Sequence, residues 1–135
     1  MPNQLTRCRV DGTTPVYPFP VLHDTATGDD AVLTLAAVTD KCWCIGNFGL
    51  LFSYADGTFG LGGLTIEISA DGSSWLPRIT HGIAAAGLGP VPFHKVLKFP
   101  PSYHVRITLL NGGTGVVGEL SLIDYWNESD TDPVE

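Results

Sequence analysis

The chain has 135 residues, room for one domain rather than two, and enough length to bury a core without help from metals or disulfides. Hydrophobic residues make up 44% and charged residues only 16%, a balance that excludes an intrinsically disordered chain. The formal charge of −7 argues against sequence-independent binding to nucleic acid or to an anionic membrane surface.

With 16 Gly and 10 Pro, the composition favours short strands and turns over long helices. Three Cys are too few, and odd in number, for a disulfide scaffold. Cys42 and Cys44 are two apart, so in a strand both point to the same side. That is a poor geometry for bonding each other, and they read as buried reduced thiols. Met1–Leu5 carries no basic stretch followed by an apolar run, and no segment is apolar for long enough to span a bilayer as a helix. A soluble protein maturing in a reducing compartment is expected.

Residues 1–30 are expected to form an extended arm. Pro15, Pro18 and Pro20 interrupt a sticky run containing Val16, Tyr17, Phe19, Val21 and Leu22. Such an arm covers either its own domain or a neighbouring subunit, and Tyr17, Phe19, Val21 and Leu22 are its candidate partner-binding anchors. Residues 31–126 then read as strand after strand. Leu33 and Leu35 share a parity, and Lys41–Phe52 is a longer β-prone run predicted to break at Gly46 and Gly49. Leu64, Ile66 and Ile68 alternate with Thr65, Glu67 and Ser69, the pattern of a half-buried strand. Asp71-Gly72 predicts a turn, with a short strand following from Trp75 to Thr80 and a loop from His81 to Pro90. Val91, Phe93, Leu97 and Phe99 share a parity, and Pro100-Pro101-Ser102 is expected to turn that strand back as a hairpin with Tyr103–Leu110. Asn111-Gly112-Gly113 marks a further tight turn before a last strand from Gly118 to Trp126. The closing residues 127–135 hold four acids and no base, and read as an exposed acidic tail.

The predicted fold class is therefore all-β: an antiparallel two-layer β-sandwich, jelly-roll-like, with about seven or eight strands. The search for chemistry yields no catalytic, cofactor-binding or metal-binding residue. His23, His81, His94 and His104 are scattered, and Cys42-Trp43-Cys44 lacks the second pair that a zinc site needs. Gly113-Thr114-Gly115-Val116-Val117-Gly118 matches a dinucleotide fingerprint in letters, but the residues after it read as strand and not as the required helix. Trp43, Trp75 and Trp126 could build a sugar-stacking platform or could fill the core; in strands the core is the commoner fate.

The order of segments Leu51-Phe52-Ser53-Tyr54, Gly62-Gly63-Leu64-Thr65-Ile66, Trp75, Ile79-Thr80-His81-Gly82, Pro92-Phe93, Val105–Leu109 and Asn111–Gly115 is similar to small virion proteins of tailed bacteriophages. The resemblance covers roughly residues 31–126. It implies a non-enzymatic structural protein of the capsid decoration, or cement, type, made in the bacterial host cytoplasm and carried on the capsid surface. The implied partners are the major capsid protein and further copies of the chain, as a trimer. The competing expectation is a carbohydrate- or receptor-binding β-sandwich module of a tail fibre or baseplate, with Trp75 or Trp126 exposed near a loop end.

Overall fold

The computed structural model describes residues 9–10, 15–16, 19–54, 59–83, 91–110 and 117–129. β1 (Arg9–Val10) and β2 (Pro15–Val16) pair with each other alone. Of the expected arm, residues 1–8, 11–14, 17 and 18, Tyr17 among them, lie outside the described residues, as do the expected turn at Asn111-Gly112-Gly113 and residues 130–135 of the expected acidic tail. The first residues of that tail, 127–129, instead close the strand Tyr125–Ser129, with Glu128 buried. The other eleven strands form three antiparallel sheets, and no helix occurs among the described residues.

The first sheet has the order β3 (Leu22–Ala26), β12 (Gly118–Leu122), β6 (Leu50–Tyr54), β9 (Val91–Pro92). The second runs β4 (Ala31–Leu35), β11 (His104–Leu109), β7 (Phe59–Ser69), β8 (Leu76–Ile83). Alternation decides which face of each is buried. Leu50, Phe52, Tyr54, Leu120 and Leu122 line the inner face of the first sheet; Leu33, Leu35, Leu64, Ile66, Val105, Ile107 and Leu109 line that of the second. The two apolar faces meet as a β-sandwich. Tyr54 ties them together, its hydroxyl donating across the core to the Leu110 carbonyl at 2.6 Å. Gly118 is required beside it, because a Cβ there would stand 2.8 Å from the Tyr54 ring and 3.1 Å from Leu109.

The third sheet, β10 (Leu97–Lys98), β5 (Lys41–Ile45), β13 (Tyr125–Ser129), is an addition to the expected two layers. It grows out of the first. β5 leads into β6 and β12 into β13, so one bent ribbon serves both sheets. The bend falls at Gly46–Gly49, where the sequence places a break. Gly46 N–H donates to the Asp124 carbonyl at 2.8 Å and Ile123 N–H to the Gly49 carbonyl at 2.7 Å, which carries the ladder round the corner. A side chain at Gly49 would collide with the Asp124 carbonyl oxygen, and one at Gly46 with the Asp124 carboxylate.

Two expected details are replaced. Val91–Phe99 is not one strand and does not fold back on Tyr103–Leu110. It divides into β9, paired with β6, and β10, paired with β5, while β11 lies between β4 and β7. The segment after β10 is held along β5: Phe99 N–H donates to the Trp43 carbonyl and Ser102 N–H to the Lys41 carbonyl. Ser102 sits at φ 64°, which turns the chain into β11. The second correction is His81, which lies inside β8 rather than in a loop. The Asp71-Gly72 turn forms as expected. Gly72 has φ 81°, and the Asp71 carboxylate accepts the N–H groups of Ser74 and Ser73 and the Ser69 hydroxyl. Those donors hold its carboxyl down at about 2.

Candidate functional site

Phe19 lies on the third sheet. Its ring stacks on Tyr125 at 5.3 Å and tilts against Trp43 at 5.4 Å, with Trp43 and Tyr125 themselves 6.0 Å apart. Each polar tip of this triad is satisfied. The Tyr125 hydroxyl donates to the Pro20 carbonyl at 2.7 Å and the Trp43 indole N–H to the Ala36 carbonyl at 2.8 Å. Aromatic pairs of this kind add about 0.5–1.5 kcal/mol each beyond the area they bury. Burial also pushes the Tyr125 phenol above its ordinary value. Leu22, paired with Leu122 in β3, packs against the core as well. Val21 between them points outward and is 60% exposed. Of the four expected anchors, Phe19 and Leu22 thus engage this chain's own core, Val21 faces solvent, and Tyr17 is outside the described residues.

Val21 does not stand alone. The pairing of Leu22 with Leu122 brings it opposite Ile123, and Ile123 is bonded to Gly49, the neighbour of Phe48. Ile123 and Phe48 are both exposed, Phe48 by 48%. Phe48 has φ 66°, a left-handed conformation that costs a bulky residue roughly 1–3 kcal/mol. The ring it displays meets His94 edge-on at 4.7 Å. The result is an apolar rim of Val21, Ile123 and Phe48 along the bend between the first and third sheets. Sequence reasoning marked Val21 alone. The signal for Phe48 was an aromatic residue held between Asn47 and Gly49, inside the interruption of the Lys41–Phe52 run.

The three tryptophans do not share a platform. Trp43 belongs to the core, and Trp126 is buried on the opposite face of the third sheet. Trp75 alone is half-exposed, with the Arg106 guanidinium 4.2 Å over its ring and His104 at its edge. Arg106 is held there by Glu67, whose Oε1 accepts from both Nε and Nη2 at 3.1 and 2.8 Å.

Cys42 and Cys44 lie on the outer face of β5 as buried free thiols, beside Trp126, Glu128 and Lys98. Glu128 is buried. It accepts from the Trp126 indole at 2.7 Å and pairs with Lys98 at 3.3 Å. Burial, and then the Glu128 charge and hydrogen bond, raise the Cys44 thiol from 9.0 to about 12. A thiol held protonated in this way is a poor nucleophile.

On the outer face of the first sheet, His23 Nδ1 lies 2.8 Å from Ser121 Oγ and its Nε2 lies 3.4 Å from Glu119 Oε1. The order of groups is that of a serine hydrolase, but Ser121 sits in mid-strand. β12 is paired on both sides, by β3 and β6, so the neighbouring amides are committed to the ladder and cannot hold an oxyanion. Among the described residues no group of three or more His, Cys, Asp or Glu is arranged to hold a metal ion.

No protein-family model matches the chain, and neither the curated proteins nor the solved structures contain a match to it.

Proposed function

We propose that the chain is a structural virion protein of a tailed bacteriophage that decorates the capsid. In this reading it is a non-enzymatic, jelly-roll-like sandwich that bridges neighbouring major capsid subunits as a trimer. The observation that carries the reading is the exposed apolar rim of Val21, Ile123 and Phe48 beside the point where Phe19 fastens the proline-rich segment to the domain. A segment fixed at its root transmits load, and an apolar rim at that root supplies the contact that a shell subunit would cover. The strained backbone at Phe48 fits a ring kept on display for a partner.

The test is quantitative mass spectrometry of gradient-purified particles from the source of the gene, scaled to the major shell protein. A copy number comparable with the shell protein is the expected result. Absence from particles overturns the reading. Within it, Phe48→Asp together with Val21→Asp is expected to abolish shell binding while the domain stays folded by circular dichroism.

A second reading rests on Trp75. Its partly exposed ring has one face covered by the Arg106 guanidinium, which Glu67 holds, and would offer the other face for stacking beside those charged hydrogen-bonding groups, the combination that suits a pyranose. On this reading the chain is a carbohydrate- or receptor-binding module of a tail fibre or baseplate. Quenching of tryptophan emission by host-surface glycans, abolished in Trp75→Ala, distinguishes the two.

A further inference from the structure

At the edge where β8 and β9 face each other, the interior of the sandwich reaches solvent through a groove of about 420 Å³. Its floor and walls are apolar, formed by Phe52, Ile79, Val91 and Phe93. Register explains the rest. β8 pairs Ile79 with Ile66 and His81 with Leu64, and both partners point into the core. His81 therefore occupies a core-facing position that the alternation would give to an aliphatic residue. Its imidazole stands edge-on to Phe52 at 5.8 Å and to Phe93 at 5.9 Å.

Two more basic groups border the same space. His94 lines it, and the Lys95 ammonium lies 5.9 Å above the Phe93 ring. Elsewhere Lys98 and Arg106 are paired with Glu128 and Glu67. In contrast, Lys95 has no carboxylate partner, and the ring nitrogens of His81 and His94 have no hydrogen-bond partner, among the described residues. A chain of net charge −7 thus gathers Lys95 and two imidazoles, none with a carboxylate partner among the described residues, at the mouth of an apolar groove. Charge and shape together call for an occupant with an apolar body and one anionic head.

The edge itself argues against a β-strand as that occupant. Pro77 lacks a donor, and Arg78 is the extra residue of a β-bulge opposite Glu67. Both are features that keep another strand from pairing with an exposed edge. The wall from Ile79 to His81 is only three residues long, about 7 Å at strand rise, which suits a ring or a short alkyl chain.

We propose that this groove binds a free amphiphilic carboxylate, its hydrocarbon on Phe52, Ile79 and Phe93 and its head between His81, His94 and Lys95. The inference does not depend on the virion reading: it needs no shell partner, and it meets the rim only where Phe48 packs edge-on against His94.

Octanoate is the probe, followed through the imidazole proton resonances of the full chain. The four histidines supply their own control: His81 and His94 are in the groove, whereas His23 and His104 lie on other faces. The expected result is saturable shifts of His81 and His94 only, with octanol much weaker and Lys95→Glu lowering affinity by roughly fivefold, the effect of one partly exposed charge. Lys95 is exposed, so that variant keeps the fold. No shift up to about 10 mM octanoate, weaker than any useful affinity, would overturn the proposal. Equal shifts at all four histidines, or equal binding of octanol, would overturn it too. A response to an acidic peptide but not to octanoate would give the groove to a protein partner and equally reject a small ligand.

Discussion

The two edges of the sandwich are finished in opposite ways. At the β3–β4 edge the chain itself crosses from one sheet to the other. Ala26 and Ala31, both fully buried, let the strands approach, and Asp24 Oδ2 accepts the Val32 N–H at 2.9 Å. At the β8–β9 edge the same core ends in a groove bordered by His81, His94 and Lys95. One edge ties a main-chain donor to a side chain of its neighbouring strand, and the other presents basic side chains at an open groove. The comparison teaches that the core alternation of a strand can be given up locally, as at His81, where closure is not what the edge is for.

The largest expected effect tests the closed side of the molecule. Trp43→Ala removes a ring on which both Phe19 and Tyr125 pack, and should lower stability by about 3–5 kcal/mol in urea denaturation. A loss under about 1 kcal/mol would mean that the aromatic triad is not part of the cooperative core. Between the edges, Gly118→Val forces a side chain against Tyr54 and Leu109 and should cost about 1–3 kcal/mol, read as a lower melting temperature.

The pH dependence sharpens the same point. Burial, with the Asp30 charge second, raises the Tyr54 phenol from 10.0 to about 12, and Cys44 is raised to a similar level. Both groups are buried neutral. Their contribution is complete below the ordinary values of 9.0 and 10.0 and is lost as pH rises from there through about 12. Stability measured by circular dichroism should therefore fall on the alkaline side, with Cys44→Ala flattening the lower part of the decline. An unchanged profile in that variant would place the alkaline loss elsewhere.

The smallest effects set the edges side by side. Asp24→Ala removes the acceptor that links β3 to β4 and should cost about 0.5–1.5 kcal/mol. Lys95→Ala at the open edge should change stability by less than about 0.5 kcal/mol while weakening octanoate binding. Equal losses at the two positions would remove the distinction between a closed and an open edge.

The sequence made much of the core legible. Leu33 and Leu35, Leu64 to Ile68, and Val105 to Leu109 alternate because one side of each strand meets the other sheet, and the structure buries those residues. The gap at Gly46 and Gly49 was visible for a similar reason, since two glycines in a β-prone run mark a place where a side chain would not fit. The rim was only partly legible. Val21 could be named from its apolar neighbourhood, whereas Phe48 and Ile123 join it through ladder contacts across the bend. The groove was not legible at all, because His81, His94 and Lys95 carry no shared spacing.

By itself the sequence determined an all-β chain, the inward-facing residues of its longer strands, the break at Gly46 and Gly49 and the Asp71-Gly72 turn, all of which follow from local backbone preference and a period of two. Only the tertiary structure decided which strands are neighbours. Alternation states a strand's face and is silent about its partner, so the expected hairpin of Val91–Phe99 with Tyr103–Leu110 gave way to β11 between β4 and β7. The third sheet, the burial of Trp126 and Glu128 and the open edge at β8 are likewise consequences of long-range pairing, whose energy depends on how whole faces fit together.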